Sequence, residues 1–188
     1  MLRLGMSGAG ALLWSGLYLM LTAAEFSSLA AAVAFHEMGH ILLLLILDSG
    51  VDTICLTGTG LRIDCSRGLT PFGEILAAIA GPAFGLLWCM CAWNMGLHLS
   101  CGLSAVLTLC NLVPLSYLDG GRVLHGVLSM LLGTYPADRA GRALDVVICI
   151  LFCAFSMFCA ANGTGVGLAV TAAWLTLYTL LHNKKALI

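Results

Sequence analysis

Charged side chains are scarce in this sequence. Only 9% of its 188 residues are charged, whereas 61% are hydrophobic. A soluble domain usually has about 25% charged and roughly 45–50% apolar residues, so a soluble globule of this size could not bury so much apolar surface. The composition also excludes a disordered chain, and a formal net charge of -1 gives no basic footprint for nucleic acid. We therefore expect an all-α polytopic protein whose environment is the lipid bilayer and which has no nucleic-acid partner.

Apolar runs fill most of the chain. A spanning helix needs about 20 residues, and the sequence accommodates about six. These runs lie at about 9–24, 26–47, 72–97, from 102 to a break near 114, 143–161 and 166–181. The first run could instead be a signal peptide, because a basic residue precedes it and small residues follow it. What remains makes loops, so we expect one membrane-embedded domain over residues 1–188.

Two segments interrupt the helical pattern. Residues 51–66 contain β-branched residues in near-alternation around a Gly-Thr-Gly centre, which predicts a short membrane-associated β-hairpin between spans two and three. Pro114 removes a backbone donor and clashes with the preceding turn, so the fourth helix should break between Asn111 and Asp119. A short helix over about 121–132 should follow. Thr70-Pro71 is a plausible cap and first residue of span three.

The basic residues indicate an orientation. With six spans, all eight Lys and Arg residues fall on one side of the membrane. The positive-inside rule makes that side cytoplasmic. We therefore expect an integral multi-pass protein with both termini in the cytoplasm.

Span two carries the sequence HEMGH at 36–40. His36 and His40 are four residues apart, share a helix face and can bind one metal ion. Neutral imidazole suits zinc, and Glu37 could take a proton from a metal-bound water. Two ordinary histidines on a helix are the alternative. Ionisable groups inside hydrocarbon are costly, however, and are presumed functional.

A catalytic zinc usually has a third protein ligand and one open position. Asp119 lies where the helix must break, and helical rise places it, like His40, in the cytoplasmic half of the membrane. It is therefore the best third ligand. The other acids outside the HEMGH motif lie at span ends or in loops, where we expect them to be solvated: Glu25, Asp48, Asp52, Asp64, Glu74, Asp138 and Asp145.

Together, HEMGH at 36–40 and NLVPLSYLDG at 111–120 resemble the site-2 protease family of intramembrane zinc metalloproteases. The hairpin after the first motif is similar, and so is AGP at 80–82. The resemblance covers about 30–125 and implies a catalytic core of about 26–133. It implies that His36, His40 and Asp119 bind Zn²⁺ and that Glu37 is general base and then proton donor.

The resemblance also implies a role for Asn111, which matches a family position thought to hold the substrate or the developing oxyanion. The alternative is an amide that satisfies backbone groups freed by Pro114. Family members often carry Asn where this chain has Gly85. What that Asn does must be supplied elsewhere or be dispensable here.

The layout, without a PDZ insertion, looks most like the bacterial sporulation-type branch, which cleaves a membrane-associated pro-sigma factor. That branch usually carries a CBS domain, and this sequence has none. The resemblance implies a membrane-anchored regulatory substrate, a pro-sigma or anti-sigma factor, regulatory partners in the membrane, and a location in the bacterial cytoplasmic membrane.

Two other functions compete with a protease. The three proposed ligands could form the transit site of a metal or ion transporter, but transporters usually show internal repeats, and the sequence has none. A catalytically silent binding module would have no need of Glu37. The hairpin could pair with an extended substrate by β-augmentation, or it could be purely structural.

Overall fold

The computed structural model describes residues 3–57 and 60–162. All three strands of this described part lie before residue 66, and every later element in it is a helix. The elements are β1 (Arg3–Met6), α1 (Gly8–Met20), α2 (Ala23–Ile46), β2 (Val51–Thr57), β3 (Gly60–Cys65), α3 (Pro71–Asn94), α4 (His98–Asn111), α5 (Asp119–Leu132) and α6 (Thr134–Ala161). The chain divides into two compact units, the first ending at Val113 and the second beginning at Pro114.

Three helices in the described part of the chain, α2, α3 and α6, are long and apolar enough to cross a membrane. The shorter apolar helices α1 and α4 have 13 and 14 residues. At about 1.5 Å per residue they extend only about 20 Å, against a hydrocarbon core of about 30 Å. The expected sixth span at 166–181 lies outside the described residues. The helical membrane architecture is therefore supported, whereas the count of six spans is not confirmed.

Large apolar side chains on these helices are exposed. Leu87 and Met90 on α3, and Ile150 and Leu151 on α6, are each more than half exposed. A surface of this kind is unusual for a soluble monomer. It is what hydrocarbon contact requires, and with the three long helices it indicates a membrane protein.

Local signals in the sequence explain where α2 and α3 begin. The Thr22 hydroxyl accepts a hydrogen bond from the backbone N–H of Glu25, whose carboxylate accepts from the N–H of Thr22 at 2.9 Å. This reciprocal capping box satisfies two donors at the start of α2. The Thr70 hydroxyl accepts from the N–H of Gly73 at 3.1 Å, and Pro71 is the first residue of α3. The predicted cap of span three is confirmed.

The strands form one three-stranded sheet in the order β1-β2-β3. β2 and β3 pair antiparallel, with Thr57 beside Gly60 and an irregularity between Val51 and Thr53. β1 pairs parallel with β2, with Arg3 beside Thr53. β1 is not among the elements that the sequence predicts, because a four-residue strand has too few positions to show alternation. Its partner β2 lies far along the chain.

In the first unit α3 packs against both α2 and α4, and α2 also packs against α4. A Cβ on Gly39 would collide with the backbone carbonyl of Ala80, so the absence of a side chain lets α2 and α3 approach closely. The rings of Phe35 and Trp88 stack beside this crossing with centroids 4.1 Å apart. Small residues at such crossings are typical of packed membrane helices.

The α3–α4 contact is polar. Ser100, Ser104 and Thr108 recur every four residues on α4 and are all buried. The Trp88 indole donates to the Ser100 hydroxyl at 3.0 Å, and the Ser104 hydroxyl donates to the carbonyl of Gly85 at 2.7 Å. The hydroxyls of Ser100 and Ser104 therefore find hydrogen-bond partners on α3, as buried polar groups require.

In the second unit α5 and α6 pack against each other. The predicted break is confirmed: α4 ends at Asn111 and α5 begins at Asp119. The predicted start of the next span near residue 143 is wrong, because α6 already begins at Thr134. The polar residues before 143 predict a loop, but charged side chains on an exposed helical face are solvated as well as those in a loop.

We expect Gly39→Ala to destabilise the first unit by about 1–3 kcal/mol, because a methyl group would be forced against a backbone carbonyl. Thermal unfolding of the purified protein in detergent measures this. Gly102→Ala on α4 is the matched control, since nothing lies within 4 Å of its Cβ position. There the exchange should be neutral or stabilising by up to about 1 kcal/mol. Equal stability of the two variants would contradict the close approach.

Candidate metal centre

His36 and His40 lie side by side on α2. Both are buried, at 3% and 7% exposure, although their side chains are polar. Their Nε2 atoms are 3.2 Å apart. The spacing of four residues places them on one face, as the sequence predicted, and the two rings meet edge to face.

A hydrogen bond from His40 to α3 fixes the tautomer of its ring. Nδ1 lies 2.7 Å from the backbone carbonyl oxygen of Ala77. Because a carbonyl can only accept, Nδ1 carries the proton and Nε2 presents its lone pair. Metal-binding histidines commonly donate their other N–H to a carbonyl in this way, which orients the ring.

Gly81 keeps the space beside His40 open. A Cβ at this position would collide with Nε2 and the neighbouring ring atoms of His40. Any larger residue would therefore displace the imidazole or cover its lone pair. This gives the glycine of the AGP segment a physical role in the site.

The two imidazoles fit a metal ion. Two nitrogens bound to one tetrahedral zinc at about 2.0–2.1 Å lie about 3.3 Å apart. The observed separation of 3.2 Å matches this value. In the neutral ring, this tautomer leaves the Nε2 lone pair of His40 for a metal ion. The two nitrogens on α2 are thus spaced as two ligands of one zinc ion would be.

Glu37 and Asn111 also belong to the first unit. Glu37 follows His36 on α2 and is half-buried. Asn111 is the last residue of α4, and its side-chain nitrogen lies 3.4 Å from Nε2 of His36. The structure therefore brings His36, His40 and Asn111 together, as the resemblance implied.

Gly85 leaves no room for a side chain beside α4. A Cβ on Gly85 would collide with the hydroxyl of Thr108, and the same position is 3.7 Å from Nδ1 of His36. Thr108 on α4 therefore occupies the space that a side chain at 85 would take, with its own side chain buried. Thr108 is not among the site residues predicted from the sequence. The four-residue recurrence of hydroxyl residues along α4 is the signal that could have found it.

Asp119 is the first residue of α5, in the second unit. It is buried, at 6% exposure. Its carboxylate lies 3.9 Å from the guanidinium of Arg122, one turn later and largely exposed. A carboxylate in the first turn of a helix is favourably placed relative to the helix dipole. The short helix after the break was expected from about residue 121, and it begins two residues earlier, at Asp119 itself. The role of Asp119 as a ligand stays a prediction.

His98, His125 and Asp145 have different surroundings. His98 is exposed at the start of α4. Nε2 of His125 on α5 donates a hydrogen bond to the exposed carboxylate of Asp138 on α6 at 2.8 Å. His182 lies outside the described residues. Asp145 was expected to be solvated, and this expectation is wrong: only 1% of it is exposed. Because α6 begins at Thr134, Asp145 lies inside this helix and not at its end.

Comparisons with known proteins give one informative result. No protein-family model matches the chain, and no curated protein matches it. Among solved structures, a site-2 protease from Methanocaldococcus jannaschii superposes with a TM-score of 0.71, covering 96% of this chain and 90% of that chain at 20% identity. The chain has a site-2 protease fold. The family resemblance read from the motifs is thereby supported at the level of the fold, and the sporulation-type branch is not shown.

Gly85 and Thr108 should be energetically coupled. We expect Gly85→Ala to destabilise the protein by about 1–3 kcal/mol, because its methyl group meets the Thr108 hydroxyl. Thr108→Ala removes this hydroxyl. The double variant Gly85→Ala with Thr108→Ala should therefore be little less stable than Thr108→Ala alone. A double-mutant cycle from unfolding in detergent gives the coupling, about 0.5–3 kcal/mol for residues in contact. Strict additivity would contradict the steric explanation.

Proposed function

We propose that this protein is an intramembrane zinc metalloprotease that hydrolyses a peptide bond in or near the transmembrane segment of a membrane-anchored regulatory protein. The observation that carries the proposal is the buried pair His36 and His40 on a helix long enough to span a membrane. Their Nε2 atoms are spaced for one ion, and a carbonyl fixes the tautomer of His40. The site-2 protease fold supports it.

The proposed ligands of the zinc ion are His36, His40 and Asp119. Two imidazoles and one carboxylate favour zinc among the common divalent ions, and all three side chains are buried. Three protein ligands leave one position open, as in catalytic zinc sites. When bound, the ion would lower the pKa of a coordinated water and polarise the scissile carbonyl.

The residues of the chain itself would move the proton. Glu37 takes a proton from the attacking water as the new carbon–oxygen bond forms. It then gives that proton to the amide nitrogen as the carbon–nitrogen bond breaks, so no proton has to come from hydrocarbon. The side-chain amide of Asn111, beside His36, can donate a hydrogen bond to the oxyanion that develops.

The substrate must be extended when it is cut. A peptide bond within a helix is shielded, and an extended segment in a membrane needs partners for its backbone groups. Strand β3 lies at an edge of the sheet order β1-β2-β3, so within the described residues its outer side is available for β-augmentation. We propose this edge as the docking strand for the unwound substrate.

The proposed setting is the bacterial cytoplasmic membrane, with several spans and cytoplasmic termini. The one-sided distribution of Lys and Arg supports that orientation. The motif resemblance to the sporulation-type branch favours a pro-sigma or anti-sigma factor as substrate. Regulatory partners in the membrane belong to the same proposal.

Glu37→Gln should abolish cleavage while zinc stays bound, because the amide keeps the shape of the side chain but cannot accept the proton. The expected loss is about 10²- to 10⁴-fold. Single-span candidate substrates co-expressed with wild type and variant report cleavage, and elemental analysis of the purified protein reports zinc. His36→Ala should lose both zinc and cleavage.

Glu74→Gln is the matched control for Glu37, since it makes the same chemical change in the first turn of α3. It should leave cleavage and zinc content as in wild type. Equal processing of a substrate by wild type and Glu37→Gln would exclude the proposed mechanism. Transport of a metal ion without cleavage would favour a transporter.

Proline placed in turn at positions 61–64 of β3 should show an alternating effect on cleavage. Proline removes one backbone donor, and successive residues of an edge strand direct their N–H groups alternately inward and outward. Substitutions that remove an outward donor should reduce cleavage with zinc content unchanged. Proline at position 4 in β1, the opposite edge, is the control. Full cleavage by every β3 variant would exclude β-augmentation at this edge.

A further inference from the structure

Asp145 is a buried carboxylate that the proposed reaction does not use. It lies on α6, one of the three helices long enough to span a membrane, and 1% of it is exposed. An ionised group in such a position is costly unless it is paired or hydrogen-bonded. Its presence therefore calls for a specific contact within the second unit.

That contact is with the turn that precedes α5. Oδ1 of Asp145 accepts a hydrogen bond from the backbone N–H of Ser116 at 2.8 Å. Ser116 lies between the end of α4 and the start of α5, where the backbone is not helical. A backbone N–H in such a segment lacks its helical partner and must be satisfied otherwise. The carboxylate supplies a charge-assisted bond, which is stronger than a neutral one.

The same turn is fitted closely to both helices of the second unit. Gly141 lies one turn before Asp145 on α6, and a Cβ there would be 3.3 Å from the Ser116 hydroxyl. On α5, a Cβ at Gly121 would collide with the carbonyl of Leu115. That carbonyl also accepts from the N–H of Leu118 at 2.8 Å. Leu115 and Ser116 are thus held from two sides.

The turn that Asp145 contacts leads directly into α5. Ser116 precedes Asp119 by three residues, so the direction in which the chain leaves the turn sets the orientation of the first turn of α5. Asp119 begins that turn. Deletion of the Asp145 carboxylate would release the Ser116 N–H and allow the segment 114–118 to shift.

We propose that Asp145 is a positioning residue: its hydrogen bond to Ser116 fixes the turn before α5 and thereby the orientation of the Asp119 carboxylate. The inference rests on the proposed function in that Asp119 is taken as a zinc ligand. Groups that orient a ligand typically change metal affinity by about 10- to 100-fold when removed. Asp145 does not touch the reacting atoms.

Three variants of the full chain test the proposal. Asp145→Ala removes the acceptor, and Asp145→Asn keeps an oxygen acceptor without the charge. Asp138→Ala is the matched control, an acid on the same helix that is exposed and paired with His125. Each protein is purified in detergent. Three measurements follow: amide hydrogen exchange of a peptide covering 112–118, zinc retention against a graded chelator, and thermal unfolding.

The expected result is faster exchange at 112–118 and about 10- to 100-fold weaker zinc retention in Asp145→Ala, with an intermediate effect in Asp145→Asn. Asp138→Ala should match wild type in both measurements. If Asp145→Ala does not fold, Asp145→Asn decides the question. A purely stabilising carboxylate would lower the unfolding temperature but leave zinc affinity of the folded protein unchanged, and that result would overturn the proposal.

Failure of the proposed function has a different signature. If wild-type protein binds no zinc, or if Asp119→Ala retains it as tightly as wild type, Asp119 is not a ligand and the positioning role falls with it. If zinc binding depends on Asp119 but exchange and retention in Asp145→Ala equal those of wild type, the proposed function stands and only the role of Asp145 is overturned.

Discussion

A polar group inside a membrane-spanning segment must find its partner within the protein, because hydrocarbon offers none. This constraint determines the polar contacts of both units. In the first, Nδ1 of His40 donates to the carbonyl of Ala77, which fixes both the protonation and the direction of the ring. In the second, Asp145 accepts from the N–H of Ser116, which anchors a turn. Each contact satisfies a buried polar group and at the same time orients a group that the proposed chemistry needs.

Four glycines are as important for the packing of the helices as the polar side chains are. Gly39 lets α2 approach the carbonyl of Ala80, Gly81 leaves room for the ring of His40, and Gly121 accepts the carbonyl of Leu115. Gly85 belongs to the same set, because Thr108 fills the space beside it. The space near His36 remains occupied by a polar side chain, supplied from the neighbouring helix.

Much of the site could be predicted because its signals are local. Helical periodicity alone puts His36 and His40 on one face, and Pro114 cannot continue a helix, so a new helix begins near Asp119. Thr70-Pro71 marked the start of α3. The failures have a common cause. The burial of Asp145 and the start of α6 were not predicted, because a polar stretch can be either a loop or an exposed helical face. β1 was not predicted, because its pairing with β2 depends on residues far apart in sequence.

The sequence by itself determined the membrane class, the order of the helices, the two motifs and the spacing of the histidines, since each depends on composition or on neighbours within a few turns. Only the tertiary structure decided which tautomer His40 adopts, why position 85 carries no side chain, and that Asp145 is buried rather than solvated. The reason is that these properties depend on partners distant along the chain: the carbonyl that fixes His40 is 37 residues away, and the N–H that Asp145 holds is 29 residues away.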